Sequence, residues 1–270
     1  MRRRICAALL LTVALLGVAA TVEAQLGRRG GPRQARIAQE DDFDGRFNFC
    51  RIVFRNAPDG DGGGWSVDYP RAEVNLSIRL SELTRTPVGI DVTGEPRYHL
   101  VRWTDAEVFS CPFVMMTEPG GAFLDQNEAD ALRLYVLKGG FLWADDFWGE
   151  YAFRHWEVQL RKALPSVDYP IFELPEDHPL LHAQFSTRVM QIPSVGWVFN
   201  GQTSERGADS AVPHARGIAD KNGRLMVLMT HNTDYGDSWE REGDDPRYFY
   251  NFGPGGYAFG INTLLYALTH

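Results

Sequence analysis

The stretch Gly139-Gly140-Phe141-Leu142-Trp143-Ala144-Asp145-Asp146-Phe147-Trp148-Gly149 constrains the fold more than any other part of the chain. A helix-like segment ends at a double glycine, four apolar residues follow, and two adjacent carboxylates stand where they run out. A short apolar run between turn residues suits a strand covered on both faces. The expected order is helix, tight turn, buried strand, then an acidic loop at the strand's C-terminal end. In open α/β sheets that edge is where ligands bind.

The flanking segments alternate in the same way. Residues 47–54 form a β-type run carrying Phe47, Phe49, Ile52, Val53 and Phe54, and a Gly-rich loop follows at 59–64. Pro70 suits the first turn of a helix whose apolar stripe is read as Val74, Ile78, Leu80 and Leu83. A short strand is expected at 88–92 and an extended piece at 98–102. Phe113-Val114-Met115-Met116 reads as a buried strand running into Thr117-Glu118-Pro119-Gly120-Gly121. Asp125 with Glu128 makes a capping box for a helix presenting Ala129, Leu132, Leu134, Val136 and Leu137 to the sheet. Another helix is expected over about 150–164.

The second half is less regular. A short run spans 170–174, and Asp177-His178-Pro179 reads as a helix start with Asp177 as the cap. Asp220-Lys221-Asn222-Gly223 suits a hairpin turn before a core strand at 225–229, and a helix closes the chain at 257–268. Strands alternating with helices imply βαβ units and a mostly parallel sheet in an α/β domain.

The N-terminus has the layout of a secretory signal peptide. Arg2-Arg3-Arg4 precedes an apolar run over residues 5–20, and Val22-Glu23-Ala24 offers small residues around a cleavage site. The run is shorter than the ~20 residues a spanning helix needs. The expected organisation is a signal peptide at 1–24, a flexible linker at 25–42 and one α/β domain at 43–270, located in the periplasm or outside the cell. The mature chain would carry 24 basic and 34 acidic residues, a formal charge of −10. Such a chain has no general attraction for nucleic acid. Its two cysteines, Cys50 and Cys111, lie in or beside apolar runs and are expected to be buried and reduced, because two cysteines make no framework.

Candidate site residues gather on three segments. Glu118, Gly120 and Gly121 follow one strand, and glycine there would let backbone N–H groups approach a ligand. Asp145 and Asp146 follow the next and suit metal binding, acid–base work, sugar hydroxyls or helix capping. The segment 231–240 adds His231, Asp234, Asp237, Trp239 and Glu240. Its oxygens suit a hard cation, and His231 with a carboxylate would suit zinc. Asp145, His231 and Asp237 are the candidate metal ligands. No cofactor is expected beyond a divalent metal at that position. Trp65, Trp143, Trp148 and Trp239 near acidic loops would suit sugar stacking or the core.

The order of these elements resembles the family called domain of unknown function 4159. The matching residues include Trp65 with Asp68-Tyr69-Pro70, Cys111-Pro112-Phe113, Glu118-Pro119-Gly120-Gly121-Ala122-Phe123, Gly139-Gly140-Phe141 through Asp145-Asp146, Asp177-His178-Pro179, Gly223-Arg224-Leu225, and Asp234-Tyr235-Gly236-Asp237-Ser238-Trp239-Glu240. The resemblance implies a flavodoxin-like three-layer sandwich, related to class I glutamine amidotransferase-like and ThuA-like domains, and an envelope role. Amidotransferase chemistry needs a cysteine on a sharp strand-to-helix turn with a histidine to take its proton. Asp145 and Asp146 stand there instead, and no G-x-S-x-G elbow exists. A purely structural partner of an envelope complex, with the strand-end loops as its interface, is one function class, and two others stand beside it. One is an envelope domain that binds a small polar ligand or a protein partner. The other is a carboxylate- or metal-dependent hydrolase of a carbohydrate-like substrate.

Overall fold

A computed structural model describes residues 36–270; the expected signal peptide and most of the expected linker lie outside the described residues. The packed unit begins at Ile37, where Ala38 is buried and its N–H bonds to Leu100 O at 2.9 Å, so ordered packing starts before Phe43.

The strands are β1 (Phe49–Ile52), β2 (Arg55–Asn56), β3 (Tyr98–Val101), β4 (Phe113–Thr117), β5 (Ala122–Phe123), β6 (Phe141–Phe147), β7 (Phe172–Glu173), β8 (His214–Ala219) and β9 (Leu225–His231). Seven of them form one sheet in the order β3-β1-β4-β6-β9-β8-β7, with β2 and β5 paired separately. The first five of that order run parallel. Counted along the chain, their spatial order is 2-1-3-4-5, the flavodoxin-like doubly wound arrangement, whose switch point lies between β1 and β4. β8 turns back antiparallel to β9 across the expected turn, where Gly223 takes φ 84° and its N–H reaches Asp220 O at 3.0 Å.

Strand alternation divides the core into two layers. Val114, Met116, Leu142 and Ala144 face the helices α2 (Gln126–Leu137) and α3 (Gly149–Ala163), meeting Leu132, Val136, Trp156 and Leu160. Here the helices are numbered in chain order, with α1 at Arg71–Leu83, a short α4 at Trp197–Asn200, α5 at Tyr235–Glu240 and α6 at Pro246–Thr269. Phe113, Met115, Phe141 and Trp143 face the other way, onto Leu76 and Leu80 of α1, Trp239 of α5 and Phe259 of α6. The result is an α/β three-layer sandwich. No helix among the described residues is long and apolar enough to cross a membrane.

Local signals held where they were local. Asp125 caps α2, accepting from Glu128 N at 3.0 Å while Glu128 accepts from Asp125 N at 2.9 Å. Face assignments fared less well. Leu134 and Leu137 are exposed, and Tyr135 takes the inward place, giving its hydroxyl proton to Cys111 O. α1 turns Ala72, Glu73, Leu76, Ser77 and Leu80 inward rather than Val74, Ile78 and Leu83, because Glu73 is drawn to Arg51 under the helix. Residues 88–92 make isolated bridges, not a strand. His178 caps the turn at Pro179–His182, its Nδ1 accepting from Leu180 N at 3.2 Å, where Asp177 was expected to cap. α6 starts eleven residues early and runs through Pro254. Its glycines admit close neighbours: a Cβ on Gly256 would meet Ser238 Oγ at 2.0 Å and one on Gly260 would meet Trp239 at 2.7 Å.

The cysteines correct the sequence reading. Cys50 and Cys111 form a disulfide, with Cα atoms 6.1 Å apart and both residues buried. The physical reason is topological. Cys50 lies on β1 and Cys111 two residues before β4, and these strands are neighbours across the switch point although 61 residues separate the thiols.

Candidate functional site at the C-terminal edge of the sheet

The carboxylates expected in a loop after β6 lie inside the strand. β6 continues to Phe147, and its pairing with β9 shifts between Ala144 and Phe147. Ala144 and Phe147 both face the α2/α3 layer, which strict alternation would forbid for residues three apart. The irregularity absorbs one residue and frees Asp146 from facing that core. Asp146 takes φ 59°, a left-handed conformation that Asp tolerates better than most residues. Trp148 Nε1 donates to its Oδ1 at 2.8 Å.

Asp145 points into the opposite layer and is fully buried. Trp143 Nε1 donates to Thr230 Oγ1 at 2.7 Å, and the Thr230 hydroxyl donates in turn to Asp145 Oδ1. Gly236 N donates to Asp145 Oδ2 at 3.0 Å. These donors favour the carboxylate, yet burial outweighs them and pushes Asp145 up to about 7.

Asp68, missed as a site residue by sequence reasoning, completes the group. It lies in the connection from β1 to α1 with φ 63° and is 6% exposed. Asp68, Asp234 and Asp237 bring one carboxylate oxygen each to within 4.8 Å of one another. Burial first, then Asp237 beside it, raise Asp68 well above the carboxylate range against the pull of Arg51. Burial likewise raises Asp146, reinforced by Asp68 and Glu118, and raises Asp234, reinforced by Asp146 and Asp68. Asp234 also caps α5, accepting from Asp237 N at 2.7 Å. Asp237 Oδ2 accepts from Val195 N at 2.8 Å, and Arg241 reaches its Oδ1 at 3.1 Å.

Arg51, the single charge in the apolar run of β1, is a second residue the sequence reading passed over. It is fully buried, bonds Glu73 and Thr117, and donates to Val67 O at 2.8 Å and Trp65 O at 3.1 Å. Its ion-pair partner is Glu73, so the charge it offers Asp68 is shared with another carboxylate. Its signal was present, since an arginine in a strand-like apolar run needs a buried partner.

Other expected residues separate from this group. Glu118, at φ 51°, sits at the rim and accepts from Gly63 N and from Gly64 N at 2.9 Å; burial pushes it up to about 7. Gly120 and Gly121 pack closely against other parts of the chain. A Cβ on Gly120 would meet Ala152 at 2.7 Å and Asp61 O at 2.8 Å, and their carbonyls accept from Asp61 N and Ala57 N. They let the β4 loop pack on the 57–62 segment. Glu240 pairs with Arg241 at 2.8 Å beside Asp237. Trp239 is fully buried, edge-on to Trp143 at 5.4 Å, so neither stacks on a ligand. Trp148 is buried too, and Trp65 packs edge-on to Tyr69.

His231 leaves the expected metal set. Its side chain lies between Phe147, Phe153 and His214, with Nε2 donating to Gly149 O at 2.9 Å and Nδ1 accepting from Arg216 at 3.2 Å. Burial, with Arg216 nearby, lowers it to about 4, so it is neutral near pH 7. The next residue, Asn232, takes φ 61°, accepts from Gly149 N at 2.8 Å and donates to Val212 O at 2.8 Å, tying the end of β9 to the start of α3.

The four non-glycine residues at positive φ among the described residues are Asp68, Glu118, Asp146 and Asn232, all at this edge. Strained backbone gathers where function requires a fixed geometry. Segment 190–210 runs over the group: Ile192 N bonds Thr233 Oγ1, Val195 N bonds Asp237, and Arg206 reaches Asp61 at 2.6 Å.

Fold and site together define a flavodoxin-like α/β domain with an acidic site beside its topological switch point. The family described as Domain of unknown function (DUF4159) matches residues 51–268, and the chain belongs to it. No curated protein matches the chain.

Proposed function

We propose that this is an exported envelope domain that binds a small polar ligand at the carboxylate group of Asp68, Asp145, Asp146, Asp234 and Asp237. One observation carries the reading: five aspartates are each 6% exposed or less at one point, while the buried arginine nearby is already paired. Such an arrangement is unfavourable for the bare fold unless protons, a cation or a ligand balance it, which argues for use rather than surface polarity. Hydroxyl or ammonium donors on a ligand match carboxylate acceptors. A phosphate or nucleic-acid backbone would be repelled.

A thiol mechanism has no support, because both cysteines are bridged. The second reading, a carboxylate- or metal-dependent hydrolase of a carbohydrate-like substrate, is favoured by Asp146, a carboxylate held in left-handed backbone near the C-terminal end of β6. Export rests on the N-terminal residues and fits the disulfide, since oxidising compartments preserve such bonds.

Titration calorimetry of the purified protein with neutral sugars, amino sugars and diamines tests the binding, in EDTA and again with magnesium, calcium or manganese. A one-site isotherm that Asp146→Asn removes while circular dichroism stays unchanged is the expected result. Absence of binding by every probe in both conditions would overturn it. For export, intact mass of protein from the envelope fraction should begin at Gln25; an unprocessed Met1 form confined to the cytosol contradicts it.

A further inference from the structure

Within that acidic edge, and resting on the reading that it is a ligand site, we infer that Asp68, Asp234 and Asp237 form a cradle for one divalent hard cation of the magnesium, calcium or manganese type. The geometry fits. Oxygens bound to one calcium ion lie at most about 5 Å apart and those on one magnesium at most about 4 Å, so a calcium-sized ion fits the cradle as it stands and a smaller one would draw the oxygens inward. The three carboxylates each place an oxygen within 4.8 Å of the others.

A second observation points independently to a missing partner. Asp68 Oδ2 has no hydrogen-bond partner among the described residues, although the residue is 94% buried. That oxygen faces the turn carrying the other two ligands, since a Cβ on Gly236 would stand 2.3 Å from Asp68 Oδ2 and 3.4 Å from Asp234 Oδ1. A buried carboxylate oxygen without a donor is a costly arrangement, and an ion bound there would supply the missing interaction. Of the basic groups nearby, Arg51 is ion-paired with Glu73 through Nε, although its Nη2 has no hydrogen-bond partner among the described residues, and Arg241 pairs with Asp237 and Glu240.

The donor chemistry selects the ion. Three carboxylate oxygens, with no sulfur or imidazole, favour a hard cation over zinc or copper. His231, the nitrogen ligand that would have suited zinc, is committed to Gly149 O and Arg216 elsewhere. The ligands come from the β1–α1 connection and from the start of α5, so the ion would join the two sides of the edge. Its remaining positions would be open to water or to a hydroxyl of the polar ligand.

Calorimetry and thermal melts of the whole purified protein, stripped with EDTA and dialysed, decide the matter with each chloride salt alone. At least one of the three ions is expected to bind one per chain and to raise the melting temperature, reversed by EDTA. Asp68→Asn, folded by circular dichroism, should weaken binding at least about tenfold, since losing even an indirect partner of a metal site has that effect. Asp237→Asn serves the same purpose if Asp68→Asn fails to fold. No heat and no thermal shift from any of the three ions with the wild-type protein overturns the inference. So does unchanged affinity in a folded variant. Ion binding without sugar or diamine binding leaves this cradle standing and sinks the ligand reading; sugar or diamine binding in EDTA without ion binding does the reverse.

Discussion

In EDTA, the protein is expected to melt at a higher temperature at pH 5 than at pH 8, by at least about 5 °C. A carboxyl whose folded pKa is raised binds its proton more tightly in the native state, so it contributes stability at low pH that is lost as pH rises through the folded pKa. Asp145 is held at about 7 against 3.8 unfolded, so the loss runs from about pH 4 to 7. Between pH 5 and 8 that is on the order of 3 kcal/mol at ~1.4 kcal/mol per unit. His231 opposes it. Its folded pKa of about 4 means its contribution is present above 6.5 and lost as pH falls, roughly 2 kcal/mol by pH 5. Asp68, Asp146 and Asp234 are raised in the same direction as Asp145, and together they outweigh one histidine. For a domain of this size about 1 kcal/mol moves the midpoint by ~2–4 °C, which sets the expected shift. Asp146→Asn should flatten the slope, because asparagine also tolerates φ 59° and can still accept from Trp148. A melting temperature that stays flat or falls from pH 8 to pH 5 would show that the aspartates are not mutually burdened.

Removing the disulfide should be the other large effect. Replacing Cys50 and Cys111 together by alanine is expected to lower unfolding free energy by about 4 kcal/mol, the chain-entropy value for a closed loop of some 60 residues. Most of this acts on the unfolded chain, since both residues are already embedded in the layer against α2 and α3. Urea unfolding of the wild type with and without reductant gives the same comparison without mutation. Thiol counting in denaturant without reductant should find neither Cys50 nor Cys111 free. Two free thiols, or a reductant effect below about 1 kcal/mol, would remove the bond from the account of stability.

The capping box at Asp125, the double glycine that ends α2, the apolar run of β6 and the turn before β9 were legible in the sequence because each is settled within a few residues. So was the acidic edge, since parallel strands joined by helices must all end on the same side. Asp145, Asp146, Asp234 and Asp237 stand among the candidates named from the sequence, whereas Asp68 and Arg51 were not legible. Asp68 and Arg51 come from one strand and its exit loop, and their partners lie on α1, β4 and α5; only the 2-1-3-4-5 order brings those elements together. His231 carries the composition of a ligand, but the register of β9 turns it toward Phe147 and Phe153. The same order of strands brought Cys50 beside Cys111. Local propensity and capping act over one or two turns of chain, so the sequence could specify elements and the edge at which they end. Burial, ion pairing and the disulfide depend on neighbours 20 to 170 residues away, and those distances are closed only when the sheet assembles.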